Sequence, residues 1–522
     1  MLVGYLQNRF SLPVLQRRAL SITPCSSLSA TSRQYSACSS TAEPQGTKRY
    51  AIIGGGFAGA ATAHYLAATA SVVCPVTIHL YDIAGLGSGG SGAAGGLLHP
   101  FSPKGKLLWQ GQQAFETALE LIGLAEAGAQ QLSQRTGTTA EQFVWRQDIL
   151  RPAADAKQTA GFEALQPHPV GKSASVQAVS SKQAHALLPG LNTDALPNLS
   201  AGASHASVAA LLIKGGLVLH PYKYLRAVWQ QCEAQLAELG NGSEACLRLQ
   251  QVHALTQLEE QHGPYDAVVV AAGAAAATLP EVGGILPLRL CQGYGLELTP
   301  KLNPRDGPPV TEKRSLMSVT TSQHQSPNIH ANSQHVASDQ QAVGSDRTVD
   351  ESNDTMADTA DHADSFPTGA PSLVGATYMG VQGGQQISVG ATKQFGITPE
   401  QALQECGRRV TQSGEIAQAE TLLRPKAEAL WSPASTWQVA RVRTGVRALP
   451  QNTVDGAVPL AGQLPSTPKD KQWWIVGGLG ARGLVYHAWL GKLVAQAVIQ
   501  GSDACLPTQL RRWKVSKSAR PS

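Results

Sequence analysis

The sequence predicts an α/β fold, a Rossmann-type domain interleaved with a second domain that carries its own strands. Three observations lead there. Between Tyr50 and Ala70 a short apolar strand ends in glycines and runs into a helix of small residues. From Trp473 to Ile499 a strand, a glycine turn and a helix follow one another again. Between them, Tyr265-Asp-Ala-Val-Val-Val-Ala-Ala-Gly273 is a continuous apolar run, as expected of a parallel strand buried on both faces.

Composition sets the bounds. At 522 residues the chain has room for two large domains or one interleaved pair, and 42% apolar residues suffice for a core. The formal charge is +5, but four arginines in the first 42 residues supply most of it, and the remainder does not suggest nucleic-acid binding. Eight cysteines (Cys25, Cys38, Cys74, Cys232, Cys246, Cys291, Cys406, Cys505) form no C-x-x-C pair. They read as reduced intracellular thiols, with neither a disulfide framework nor a zinc site. No apolar run reaches the ~18 residues that span a bilayer, so no membrane insertion is expected.

In chain order, residues 1–46 read as an organelle transit peptide, plastid or mitochondrial. Arg9, Arg17, Arg18 and Arg33 stand among nine serines, with no acid before Glu43. Ala51 to Ile53 then form a strand, and Gly54, Gly56 and Gly59 follow at the G-x-G-x-x-G spacing. Gly54 permits the tight turn, Gly56 lets a pyrophosphate approach the backbone, and Gly59 lets the helix lie close to the strand. The diphosphate of a dinucleotide would rest on the amides of Phe57 and Ala58, at the positive end of a helix running to about Ala70. Val76, Ile78 and Leu80 alternate with polar residues in a second strand. It ends at Asp82, placed to accept hydrogen bonds from an adenosine ribose.

The glycine-rich stretch from Gly85 to Pro100 directly follows that strand, so it reads as a cofactor loop, with Ser91 and nearby amides as donors. A helix is expected over 107–132, a helical stretch over 216–239, and a strand over 246–255. The apolar run ends at Gly273, where a cofactor would lie against bare backbone. Strands are expected over 286–298, 372–378 and 386–392. Residues 301–368 are dominated by Ser, Asp, Gln, Thr and His and read as a disordered insertion, too poor in apolar surface to fold. The first domain is therefore expected in three segments, 47–138, 206–285 and 436–505, and the second in two, 139–205 and 286–435. Residues 506–522 form a basic tail.

Taken in order, the N-terminal glycine motif with Asp82, the strand ending at Gly273, Gly445-Val-Arg447 before Asp455-Gly456, and Gly477-Gly478-Leu479-Gly480-Ala481-Arg482-Gly483 resemble the D-amino-acid-oxidase-like (DAO) FAD-dependent oxidoreductases. Ser91-Gly92, Gly96 and Pro100, with Gly480 to Leu484, are similar to the oxidase module of the bifunctional enzyme that modifies 5-carboxymethylaminomethyl-uridine in tRNA. The resemblance implies an FAD-binding domain and an α+β substrate domain with a mainly antiparallel sheet. It also implies oxidation of a C–N bond beside a carboxylate, in an amino acid or secondary amine, by hydride transfer to flavin N5. FAD would be held by Gly54, Gly56, Phe57, Ala58, Gly59, Asp82, Ser91, Gly92, Gly96, Gly273, Gly478, Leu479, Gly480 and Ala481.

Arg447 is the first candidate to clamp the substrate carboxylate, because a guanidinium offers a two-pronged fork, and Arg482 is the second. A structural pairing of either with a carboxylate such as Asp455 is the competing reading. Tyr294 and His99 are further candidates to line the site, and His99 or Cys291 would be the points of covalent flavin attachment. Two other functions stay open: a tRNA wobble-uridine side-chain oxidase, and a non-enzymatic FAD-containing scaffold.

Overall fold

The computed structural model describes residues 46–165, 168–170, 174–192, 208–301 and 365–514. The leader expected over 1–46, most of the insertion expected over 301–368 and the end of the basic tail lie outside the described residues.

One sheet has six strands, in the order Glu244–Leu249, Val76–Asp82, Lys48–Ile53, Ala267–Val270, Trp473–Gly477 and Leu460–Gln463. The first five run parallel, and the last is an antiparallel edge. Alternate residues serve two cores. Ile52 packs with the helices Phe57–Ala67, Gly111–Thr136, Pro221–Ala237 and Gly483–Gln500, while Ala51 and Ile53 pack with Leu255, Leu258 and Tyr265 on the other face. Covered on both faces, strand Val76–Asp82 has no exposed side, and the expected alternation of buried and exposed residues gives way to Thr77 and His79 being buried too. His79 is satisfied by the Tyr265 hydroxyl (2.6 Å) and by Arg248 (3.2 Å).

The second sheet has ten strands and is antiparallel throughout, except that Ser372–Val374 runs parallel to Ile149–Pro152. The long strands Leu288–Thr299 and Gln438–Pro450 pair along their whole length. Strand alternation gives this sheet two unlike faces. One carries Leu150, Leu212, Leu296, Leu373, Met379, Ile387 and Val442 and packs on Ala419, Leu423 and Ala427 of helix Ser413–Leu430. The other sends Ile149, Leu211 and Ile213 into the same core as the helices of the first sheet, so the two sheets share one interior.

Several boundaries move. Val208–Lys214 pairs in the second sheet, so the domain boundary expected at 206 falls one strand early. Residues 217–219 form a strand before helix Pro221–Ala237, and the strand expected over 246–255 ends at Leu249. Past Val270 the apolar run becomes a short 3₁₀ helix, Gly273–Thr278. Three short strands, Ser372–Val374, Tyr378–Gln382 and Gln386–Gly390, stand where two were expected, because the chain turns back at 375–377, where the Gly375 amide donates to the Thr377 carbonyl oxygen. Among the described residues no helix is long and apolar enough to cross a membrane.

Burial holds five histidines neutral. It depresses His64, His79 and His487 to about 4 and His99 and His220 to about 3, with neighbouring arginines adding to the effect at His79, His99 and His220. In the unfolded chain these rings take up protons near pH 6.5. The unfolded state therefore binds more protons than the folded one below about 6.5, and the stability from these rings is lost as pH falls towards 4. The thermal unfolding midpoint should drop steeply between pH 6.5 and 4.5. A midpoint that stays level across that range would contradict the burial of these rings.

Candidate active site

The first glycine motif is a backbone-on-backbone contact. Gly54 has φ +112°, and a Cβ there would stand 2.5 Å from the Ala271 carbonyl oxygen at the end of the neighbouring strand. A Cβ at Gly59 would overlap the Gly54 carbonyl oxygen. Only glycine fits either place. Gly56 differs, because its backbone is ordinary and a Cβ would meet only Ser91 Oγ, at 2.8 Å. It keeps open the space in front of helix Phe57–Ala67.

That helix has no capping side chain at Gly56 and no acid in its first turn, and the Phe57 amide donates to Ser91 Oγ at 3.0 Å. Helix Gly483–Gln500 also starts with neither cap nor acid. A Cβ at Gly483 would touch the Phe57 ring, and one at Gly491 would meet the Ala61 backbone, so the two helices run side by side and parallel. Their positive ends come together at Phe57, Ala58 and Gly483, each favouring an anion by on the order of 1 kcal/mol.

Asp82 ties the glycine turn to the loop that follows. Its Oδ2 accepts from the Gly55 amide at 2.7 Å, and Oδ1 accepts from the Ala84 and Gly85 amides and the Ser88 hydroxyl at 2.7–3.0 Å. Oδ2, with one donor, keeps a lone pair for a ribose hydroxyl. The loop then lies on the second sheet. A Cβ at Gly445 would meet Ala93 and Gly90, one at Gly90 the Val446 carbonyl, and one at Gly380 the Gly95 carbonyl. Gly92 is pressed against Tyr222, and Gly96 (φ +81°) against Leu219.

Along this inner face Gly293 and Gly295 on one strand stand beside Gly445, Gly390 and Gly380 on others, making a floor with few side chains. Arg447 rises from it. It pairs in register with Cys291 and donates to the Thr392 carbonyl oxygen at 3.0 Å, with Cys291 Sγ at 3.8 Å. Neither Arg447 nor Arg482 forms an ion pair among the described residues. Asp455, the partner weighed for them, is bound to Arg512 at 3.0 Å. Arg482 lies beside Tyr486 in the turn that follows Gly478 and Leu479. In that turn Gly480 packs on Leu449 and Pro450, two and three residues past Arg447, and Ala481 is exposed. Gly273 opens onto free space at the start of the 3₁₀ helix that follows its strand.

Tyr294 is a correction. One residue from Gly293 and Gly295, it points to the opposite face, where its hydroxyl bonds Glu415 (3.2 Å) and Arg408 (3.3 Å). The tyrosine on the inner face is Tyr378. Its ring fills the space that side chains at Gly95 and Gly390 would take. Burial raises its hydroxyl to about 12 against the opposing influence of Arg447 and Ser388, so it stays a donor at neutral pH. Arg151, Gln382 and the buried ion pair of Arg443 with Glu297 share this face and were also missed. The signal for all of them was the glycines within strands, which mark close approach by a ligand or another backbone. His99 Nδ1 accepts from the Phe101 amide (3.2 Å), leaving the proton on Nε2. A cleft of about 410 Å³ lined by Leu107, Gln110 and Glu116 includes none of these residues.

Comparison with known proteins agrees with this geometry. The family model described as DAO, FAD dependent oxidoreductase, matches residues 49–497. Sequence comparison with curated proteins finds no match. Among solved structures, glycine oxidase from Geobacillus kaustophilus is similar at 17% identity, covering 87% of this chain and 95% of that one, with a TM-score of 0.53. Iminodiacetate oxidase from Chelativorans sp. BNC1 is similar at 17% identity (89% and 98% covered, TM-score 0.52). L-proline dehydrogenase from P. horikoshii is similar at 12% identity (90% and 98% covered, TM-score 0.53). At these identities the likeness is one of fold. The paired helix N-termini, the space at Gly56 and the free lone pair of Asp82 fit the diphosphate and ribose of FAD.

Gly56→Val should fold, because its Cβ meets only one hydroxyl, yet its methyls would fill the diphosphate space. The purified variant should carry at least about tenfold less FAD per chain by visible absorbance, with unchanged circular dichroism. Full FAD content would put the cofactor elsewhere.

Proposed function

The chain belongs to the DAO family of FAD-dependent oxidoreductases, and from that premise we propose that it oxidises the C–N bond of an amino acid or carboxylate-bearing secondary amine. Arg447 carries this reading. It is a guanidinium with no carboxylate partner among the described residues, on a glycine-paved face beneath the cofactor loop, with Tyr378 within its field. Such a fork suits a carboxylate, held by two parallel hydrogen bonds.

FAD, when bound, would supply a two-electron acceptor for the hydride of the carbon beside nitrogen, and the imine product would be hydrolysed by water. The chain's own residues bind and orient. Arg447 holds the carboxylate, and Tyr378, protonated up to about pH 12, donates a further hydrogen bond to it. No strong base is required, since the amine need only be neutral. Arg482 and the positive end of helix Gly483–Gln500 favour negative charge on the reduced cofactor. The arginine- and serine-rich residues 1–46 support delivery to an organelle, plastid or mitochondrion.

Anaerobic stopped-flow mixing of the FAD-loaded protein with glycine, sarcosine, proline, D-alanine and 5-carboxymethylaminomethyl-uridine tests the reading. At least one amino acid should bleach the flavin. Arg447→Met should lower the second-order rate of that reduction by about a hundredfold or more, and Tyr378→Phe by about tenfold, with FAD content kept, as expected for lost hydrogen bonds to a charged group. Reduction by the nucleoside alone would favour the tRNA role. No reduction by any of them would favour a scaffold.

A further inference from the structure

Residues 399–408 join a strand of the second sheet to its outer helix, yet they lie against both sides of the nucleotide turn. The short helix Pro399–Gln404 packs on the 3₁₀ helix Gly273–Thr278, past the end of strand Ala267–Val270. Just beyond it the Gly407 amide donates to the Ser88 carbonyl oxygen at 2.8 Å, past the end of strand Val76–Asp82. Cys406 lies over Gly89, and Gly407, at φ +70°, is so near Ala84 that a Cβ would stand 2.5 Å from its methyl. Those two strands are about 10 Å apart, and the strand between them, Lys48–Ile53, is the one that ends in the Gly54 turn. The segment thus crosses the carboxyl ends of the parallel strands, where open α/β sheets bind their ligands.

One side chain holds the segment there. Arg408 Nε donates to Glu405 Oε1 at 2.9 Å, Nη1 to Glu415 Oε2 at 2.9 Å and Nη2 to the Tyr294 hydroxyl at 3.3 Å. Glu405 Oε2 accepts from the Thr444 hydroxyl at 3.0 Å, and Thr444 pairs in register with Tyr294. Strand Gln438–Pro450 is the last on its side of the sheet, so a network on the outer face meets the cofactor loop around its edge. The residue after Thr444 is Gly445, which touches Gly90 and Ala93 of that loop. The loop is therefore gripped twice, at 84–89 by the segment and at 90–93 by the strand, and the Arg408 bridge joins the two grips. A guanidinium shared by two carboxylates fixes geometry as well as charge. The Ser88 hydroxyl in turn donates to Asp82 Oδ1 at 2.7 Å, which carries the path to the acid assigned to the ribose.

We propose that Arg408 is a positioning residue for FAD: by docking residues 405–408 on Ala84, Ser88 and Gly89, it keeps the Asp82 loop in the form that takes the ribose end of the cofactor. Contacts made from outside the nucleotide sheet then set how long FAD stays bound. Arg408 acts through Gly407 and Ser88, not through contact with the cofactor, and the inference holds whichever substrate is oxidised.

Release of FAD from the holoenzyme, followed by the rise of flavin fluorescence after dilution, is the first readout. Arg408→Met should speed release by about ten- to a hundredfold, as loss of charge-assisted hydrogen bonds allows, and Arg408→Lys by less. Gly407→Ala leaves every charge in place and should speed release too, because its methyl pushes the segment off Ala84. A wild-type release rate in either Arg408→Met or Gly407→Ala would overturn the proposal. Hydrogen exchange separates positioning from plain stability. In Arg408→Met the amides of residues 84–90 should exchange at least about tenfold faster, with helix Phe57–Ala67 unchanged. Faster exchange spread evenly over the chain would overturn the proposal and assign Arg408 to the fold as a whole. One comparison needs no variant. If the docked segment retains FAD, FAD must by linkage retain the docking, so removing FAD from the wild type should speed exchange at 405–408 more than in helix Ser413–Leu430. Equal exchange at 405–408 with and without FAD would overturn the proposal even where a variant fails to fold.

Discussion

Asp82 accepts four hydrogen bonds from chain that has almost no side chains with which to hold itself, and the site depends on that carboxylate. Six glycines lie between residues 85 and 95, and each costs more backbone entropy to order than another residue would, at about 1–2 kcal/mol or above. Hydrogen bonds to a charged acceptor contribute roughly 1.5–3 kcal/mol each, enough to offset the ordering of the loop's first turn. Because Oδ2 takes the Gly55 amide while Oδ1 takes the loop, the same group fixes Ser91 relative to the first helix. The loop then presses on the second sheet at Gly90 and Gly95.

That second contact explains why the sheet's inner face is so bare. A loop of glycines lying on strands of ordinary residues would stand several ångströms off, leaving Arg447 remote from the cofactor turn. Glycine at 380 and 445 lets the two backbones touch, and glycine at 390 makes room for the Tyr378 ring. Such glycines weaken a strand, and the outer face compensates. There Leu296, Leu373, Met379, Ile387 and Val442 bury fully against helix Ser413–Leu430. One face holds the sheet together so that the other can stay bare.

The nucleotide half was legible because its demands are local. A turn at φ +112°, a close helix–strand crossing and an acid at a strand end each leave a residue type at a fixed spacing, and Gly54, Gly59 and Asp82 were found that way. Arg447 became a candidate through its order among the motifs. Tyr378 and Arg151 were not, since which residues of distant strands share a face depends on register, which one chain segment does not reveal. Tyr294 shows the penalty: one residue from Gly293, its side chain is on the far side. Sheet boundaries near 206 failed for a related reason, because an apolar run such as Val208–Lys214 suits either sheet.

The charge distribution completes the picture. Beyond residue 42 the chain is nearly neutral, so the unpaired cations on the inner face are a local arrangement and not a consequence of composition. On the second sheet and in the helices packed on it, several acids and bases are matched: Arg443 with Glu297, Arg408 with Glu405 and Glu415, Arg424 with Glu420. Arg447, Arg482 and Arg151 lack such partners among the described residues, and the two converging helix ends add positive potential without an acid in their first turns to balance it. Arg447, unmatched on the glycine floor, and the paired helix ends are places where anions arriving from outside would be stabilised, as proposed for the substrate carboxylate and as the diphosphate of FAD would be. Cofactor and substrate should therefore bind the more tightly for being dried together, since the same charges interact more strongly once water has left the chamber.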